Sequence, residues 1–187
     1  ADSALWQADW RSPPPLLDVQ LPLKDQQLSK LTVAVCSADG RFALCASSDS
    51  GLGSVNLDTG VLLQDWPQAH QGSILALALA PDNQRALSAG EDQTIQLWDV
   101  RTKKNIRKLV GHTKKITSLA FDPGGILAIS GGGGGELKLW NTRTGGLIHN
   151  FVGHKGTVNG VAFSPNGQRV ASVDSLGQLC VWELTTS

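Results

Sequence analysis

The sequence predicts an all-β fold: a β-propeller of four-stranded antiparallel blades, forming an incomplete ring of about four blades plus a partial one. Three tryptophans, Trp98, Trp140 and Trp182, stand 42 residues apart. A histidine, His70, His112 or His154, precedes each of them by 28 residues. Two independent markers kept in step over three periods imply one structural unit copied along the chain, and a period in the low forties is that of a four-stranded blade. Between the markers, short apolar runs and turn residues recur in the same order.

Residues 1–26 read as the third and fourth strands of a preceding or closing blade. ALW at 4–6 is similar to QLW at 96–98, PLLDVQL (15–21) suits the strand that should follow, and ADWRSPPP between them is a proline-stiffened turn. Residues 27–69 are a worn copy, with LTVAVC, SADGR, FALCAS and SVNLDTG over 31–60. The copy over 70–111 is the best formed. SILALALA (73–80) suits a buried strand, and PDNQR (81–85) is turn chemistry, because Asp82 and Asn83 can bond their own backbone. ALSAG (86–90), TIQLWDV (94–100) and IRKLV (106–110) supply three further strands. The copy over 112–153 repeats the order as ITSLAF, DPGG, ILAIS, GGGGGE, LKLW, NTRTGG and LIHNFV. The last, over 154–187, has VNGVAF, SPNGQ, RVASV, DSLG and QLCVW and lacks its fourth strand.

Composition removes several function classes. Apolar residues are 41% of the 187 and charged ones only 17%, enough for a substantial core. Sixteen basic residues balance sixteen acidic ones, so no overall field draws the chain to nucleic acid or anionic lipid. The apolar run at 74–80 is far too short to span a bilayer, and no secretion signal opens the chain. Cys36, Cys45 and Cys180 are odd in number and lack C-x-x-C spacing. That argues against a disulfide framework or a zinc site and favours a reducing intracellular setting, cytoplasmic or nuclear. No cofactor or metal is expected. The lack of methionine, even at position 1, suggests an excised or processed piece.

The GH pairs at 111–112 and 153–154 and the strand ends LWDV, LWNT and VWEL resemble the WD-repeat family of β-propellers. The resemblance covers about 25–187 and, more weakly, the whole chain. It implies a structural network in which the indole N–H bonds a hydroxyl, the hydroxyl bonds the histidine, and the histidine meets an aspartate between strands two and three. The matching residues are Trp98, Ser88, His70 and Asp92. His112, Ser130 and Trp140 keep three members with Gly134 in the aspartate slot, and His154, Ser172 and Trp182 keep three with Leu176 there. The worn copy keeps Asp49 but has Gln27, Cys45 and Val55. Only the His70 unit is therefore expected to be complete. The resemblance also implies a partner-binding face comprising Gln71, Glu91, Gln93, Lys114, Lys115, Lys155, Asp174 and Ser175.

Four features admit a second reading. His70, Ser88 and Asp92 have the residue types of a hydrolase triad, but no G-x-S-x-G elbow surrounds Ser88, and His/Ser pairs recur every 42 residues without an acid. GGGGGE (131–136) is rich in glycine like a phosphate loop. Yet it lacks the following Lys–Ser/Thr pair and precedes a strand, so a mobile turn is expected. The cysteines read as small core residues, although Cys36 and Cys45 flank one hairpin and a bond between them is conceivable. Seven cations and no acid lie between Val100 and Phe121: Arg101, Lys103, Lys104, Arg107, Lys108, Lys114 and Lys115. They read either as a solvated strand edge or as a docking patch for an acidic peptide, phosphate or nucleic acid.

The expected function is a non-catalytic protein-interaction scaffold, a section of a WD-repeat propeller within a larger assembly. A nucleic-acid or anionic-lipid-binding propeller using 101–115 is the alternative. Propellers of the family close with about seven blades, and a bare blade face of roughly 500 Å² would forfeit on the order of 10 kcal/mol. Missing blades, a second copy or another subunit are therefore expected partners. Buried polar groups left unpaired cost about 1–3 kcal/mol each, which gives the first prediction. Asp92→Ala lowers the melting temperature more than alanine at any exposed acid, and equal temperatures would refute the structural reading of the network.

Overall fold

The computed structural model describes residues 30–66 and 68–184. The expectations for residues 1–26, for Gln27 and for the tail at 185–187 lie outside the described residues. Among the described residues, fifteen strands form four antiparallel sheets. Sheet 1 holds β1 (Leu31–Cys36), β2 (Phe42–Ser47), β3 (Leu52–Asn56) and β4 (Leu62–Trp66). Sheet 2 holds β5 (Ile74–Leu79), β6 (Arg85–Gly90), β7 (Thr94–Asp99) and β8 (Asn105–Val110). Sheet 3 holds β9 (Ile116–Phe121), β10 (Leu127–Gly132), β11 (Leu137–Asn141) and β12 (Leu147–Phe151). Sheet 4 holds β13 (Val158–Phe163), β14 (Arg169–Asp174) and β15 (Leu179–Glu183). Strands neighbour one another in chain order within each sheet. The architecture is an open, incomplete propeller.

Turn chemistry sets the hairpins. After each first strand an Asp or Asn side chain accepts backbone N–H groups: Asp39 from Arg41, Asp82 from Gln84, Asp122 from Ile126 and Leu127, and Asn166 from Gln168. The residue that then turns left-handed is Gly40, Asn83, Gly125 or Gly167, with φ between +57° and +70°. Glycine or asparagine is what that conformation favours.

The core lies between sheets. Leu44, Ala46 and Leu52 of sheet 1 meet Ile74, Leu77 and Trp98 of sheet 2. Leu87, Ile95, Leu97 and Leu109 of sheet 2 meet Ile116, Leu119 and Trp140 of sheet 3. Ile129, Leu137 and Leu139 of sheet 3 meet Val158, Val170 and Trp182 of sheet 4. Each interior is mainly aliphatic and includes the indole of the third strand, joined between sheets 1 and 2 by Trp66, and its burial drives the stacking.

A second device ties sheets together and has no counterpart in the sequence reading. Every first strand bulges near its start, between Leu31 and Val33, Ile74 and Ala76, Ile116 and Ser118, and Val158 and Gly160. The bulge turns the Thr32 hydroxyl onto the carbonyl of Ile74 at 2.5 Å, and that of Thr117 onto the carbonyl of Val158 at 2.5 Å. Each threonine thus bonds the first strand of the next sheet. Leu75, at the same point of β5, has no hydroxyl to offer.

The nearly isosteric Thr117→Val change removes one such bond and leaves the Val158 carbonyl short of a donor. It is expected to lower unfolding free energy by about 0.5–1.5 kcal/mol in denaturant titration. Leu75→Val, which touches no such bond, serves as the comparison.

Candidate functional site

Three buried polar networks stand on one side of the sheets, where the connections into the first strands meet the turns between strands two and three. In sheet 2, Trp98 Nε1 donates to Ser88 Oγ at 2.8 Å, His70 Nε2 lies 2.7 Å from the same oxygen, and His70 Nδ1 lies 2.9 Å from Asp92 Oδ2. In sheet 3, Trp140 Nε1 reaches Ser130 Oγ at 2.8 Å, His112 Nε2 reaches it at 2.6 Å, and His112 Nδ1 lies 2.9 Å from Glu136 Oε2. In sheet 4 the distances are 2.8 Å from Trp182 to Ser172, 2.6 Å from His154 to Ser172, and 3.1 Å from His154 to Asp174.

The direction of these bonds follows from what each group can do. An indole only donates, so the serine oxygen accepts from it and sends its single hydrogen to Nε2. Nε2 is then the acceptor, Nδ1 carries the proton, and Nδ1–H donates to the carboxylate. For His70 and His112 the surroundings favour the neutral ring. Burial holds His70 below the ordinary imidazole value of 6.5 against the opposing pull of Asp92. It does the same to His112 against Glu136. The acids shift the other way from what burial alone would cause. Burial would raise Asp174, yet the amides of Gln178, Gly156 and Leu176 and the ring of His154 bring it to about 2. Asp92 and Glu136 are lowered in the same way, by His70 with the amides of Gln71 and Thr94, and by His112 with the amide and hydroxyl of Thr113.

Two residues differ from the sequence expectation. The acid in sheet 3 is Glu136, two positions beyond the Gly134 slot, whose longer side chain covers the gap. The acid in sheet 4 is Asp174, two positions before the Leu176 slot. Asp174 is buried beneath the surface assigned to partner binding, and its oxygens are taken by His154 and three backbone amides. All three networks therefore have four members, not the His70 network alone. In sheet 1, Cys45 and Val55 pack with Ala43 and Leu62 as an apolar cluster. Replacing both partners of a buried bond by apolar groups costs little.

The glycines before His112 and His154 make room for the indoles. A Cβ on Gly111 would lie 3.1 Å from the Trp140 ring, and one on Gly153 would lie 2.9 Å from the Trp182 ring. The GGGGGE stretch is packed, which corrects the expectation of a mobile turn. Gly133–Gly135 make one tight bend in which Gly134 and Gly135 are left-handed, at φ +70° and +78°, and Gly133 N donates to the Lys115 carbonyl at 2.9 Å. Gly131 leaves space for Val158, and Gly135 lies against the His154 backbone.

The geometry of these networks does not suit serine nucleophilic catalysis. Ser88, Ser130 and Ser172 are at most 1% exposed, and each hydroxyl oxygen already holds an indole and an imidazole. No acyl group can reach it. Among the described residues no cluster of three or more His, Cys, Asp or Glu is placed to hold a metal, and no helix is long and apolar enough to cross a membrane. The cysteines are free; Cys45 is buried but Cys36 is exposed, so it is not the core residue expected. A groove of about 370 Å³ lies on the opposite side, lined by Cys36, Leu79, Phe121 and Phe163 with Pro81, Pro123 and Pro165.

Above the networks, Gln71, Glu91, Gln93, Lys114, Lys115, Lys155 and Ser175 are exposed on the loops of that side. Two of them also brace the loops. Glu91 accepts from the Ser73 amide at 3.3 Å, and Ser175 accepts from the Thr157 amide at 3.0 Å.

The sequence model of the WD domain, G-beta repeat family matches residues 60–99, 103–141 and 145–183, well over half of the chain. Each matched segment begins at the outer strand of one sheet, β4, β8 or β12, and ends with the third strand of the next.

The pKa directions fix a pH dependence. His70 and His112 bind protons less readily folded than unfolded, so the unfolded chain takes up more protons below pH 6.5. Stability then rises with pH. Unfolding free energy should be level above about pH 7 and fall as pH drops through the ordinary imidazole range near 6.5. A second decline follows as Asp174 nears its value of about 2. Denaturant titrations at pH 8, 6.5 and 5 check this, and equal stability at all three would contradict neutral buried imidazoles.

Proposed function

The chain belongs to the WD-repeat family, and we propose that it serves as a non-catalytic scaffold holding protein partners within a larger assembly. Holding partner proteins is the usual role of WD repeats. One observation carries the finer reading. Along sheet 2, Ile95 and Leu97 are 0% and 2% exposed, because sheet 3 covers them. The same positions in sheet 4 are Leu179 and Val181, which are 65% and 61% exposed. Val173 beside Leu179 is also exposed, and Ala171 pairs with Val181. Sheet 4 therefore presents the kind of apolar face that elsewhere in the molecule binds another sheet. Contiguous exposed apolar surface of this kind marks an interaction site.

Its occupant is a further blade or another subunit that completes the ring. The loops carrying Gln71, Glu91, Gln93, Lys114, Lys115, Lys155 and Ser175 form the second contact face. Their mixed signs suit a protein surface better than a phosphate backbone.

The chain alone should self-associate in a concentration-dependent way in analytical ultracentrifugation, and L179D/V181D should make it monomeric. Because both side chains are exposed, the double variant should melt within a few degrees of the wild type. Ile95→Asp, buried at the equivalent point, should unfold the chain. A wild-type chain that stays monomeric at high concentration counts against an assembly role for sheet 4.

A further inference from the structure

The three turns between third and fourth strands share one frame. Asn56 N bonds the Val61 carbonyl, Asp99 N that of Lys104, and Asn141 N that of Gly146, at 2.9, 3.0 and 2.9 Å. Within that frame the residues differ in charge. Arg101, Lys103 and Lys104 stand where sheet 1 has Asp58, Gly60 and Val61 and sheet 3 has Arg143, Gly145 and Gly146. Gly60 and Gly145 are left-handed at φ +70° and +77°, and Lys103 is held at φ +59°. Glycine adopts this conformation freely, and a lysine only against its backbone preference. Strain retained at one of three sibling turns points to a use for the side chain that bears it.

The charge continues along β8. Arg101, Lys103, Lys104, Arg107 and Lys108 are all exposed, and among the described residues none of them is in an ion pair. Arg107 is braced from the next sheet, its stem filling the space that a Cβ on Gly145 would need. β8 pairs with β7 along one edge and ends the sheet, so among the described residues its other edge presents unpaired main-chain groups. Pairing with β7 puts Lys108 and Val110 on one face of the strand and Arg107 on the other. The corresponding edge strand β12 carries no Lys or Arg, and β4 carries Asp65.

We propose that the outer edge of β8, with the turn before it, docks an acidic segment of a protein partner in extended form, as a fifth strand of sheet 2. Main-chain bonds to the free edge hold the segment. Its carboxylates meet Lys103, Lys104, Arg107 and Lys108, which select acidic strands over others. A nucleic acid fits less well, since residues 101–115 contain no Phe, Tyr or Trp on which a base could stack. A membrane also fits less well, because the cations divide between both faces of a strand and cannot all meet one plane. The proposal narrows the scaffold reading to one surface and one partner chemistry, and it can fail while that reading stands, since sheet 4 plays no part in it.

The test is fluorescence anisotropy of the whole chain with a labelled peptide of alternating valine and glutamate. The peptide should bind, and K103E/K104E/R107E should weaken it roughly tenfold or more. Methylating alternate peptide amides should abolish binding, a lysine analogue should not bind, and H149E/N150E on β12 should leave affinity unchanged. Lys103→Gly should raise the melting temperature while weakening the peptide, which separates lost binding from lost fold. Absence of peptide binding overturns the proposal, as does affinity indifferent to the charge reversal or to amide methylation. Tighter binding of a single-stranded RNA oligomer or of phosphatidylserine vesicles, lost in the same triple variant, overturns it in favour of those ligands.

Discussion

The hydroxyl of Ser88, repeated at Ser130 and Ser172, is where three parts of each blade meet. The second strand supplies the serine, the third supplies the indole, and the connection arriving from the previous sheet supplies the imidazole. With one hydrogen to give and one donor to receive, the hydroxyl fixes the direction of the whole chain of bonds. Removing any member would strand buried polar groups on the others, so the network behaves as a unit. The same saturation makes a constellation with the residue types of a hydrolase inert, because the oxygen that would attack has no free face.

What the network requires is an acceptor for one imidazole N–H, not a particular residue at a particular position. Sheet 2 meets the requirement with Asp92, sheet 3 with Glu136 reaching back, and sheet 4 with Asp174 reaching forward. Alignment by a fixed step finds only the first of these, since it treats backbone position as a substitute for where a side-chain oxygen ends up. The acids lay within two residues of the expected slots, and a search over that window would have found both. Asp174 is hidden for a further reason: an acid next to a turn reads as solvated unless its amide partners are known. Strands and hairpins were legible, because apolar runs and Asx turns are local signals. The threonine bonds between first strands were not, because their acceptors belong to another sheet and the bulge that aims them leaves no mark in composition.

The offset between family repeat and sheet explains how the blades are joined. Each matched segment starts on an outer strand and finishes three strands into the following sheet. The connection that crosses from outer rim to inner strand carries the histidine, and the network fastens that connection to the sheet it enters. Neighbouring sheets are therefore linked by the chain, by the polar network at the crossing and by the apolar seam between faces, and in two places also by a threonine hydroxyl. The seam does not need covalent continuity. A sheet from elsewhere can form a seam with sheet 4, provided its own face carries the same aliphatic pattern.

That division of labour also decides where the sequence is free to vary. Positions in the seams are apolar in every sheet, and in sheets 2 to 4 the network positions keep their chemistry even when the acid moves. The turns below the outer strands keep only their hydrogen-bonded frame, in which Asn56, Asp99 and Asn141 cap the same bend. Side chains there can change sign without disturbing the blade, as Asp58, Arg101 and Arg143 show. A left-handed residue within that frame is different, because glycine is the low-energy choice. Lys103 forgoes that choice while its siblings Gly60 and Gly145 take it. The frame forms with glycine in both sibling turns, so the hydrogen bonds of the bend do not by themselves require the lysine.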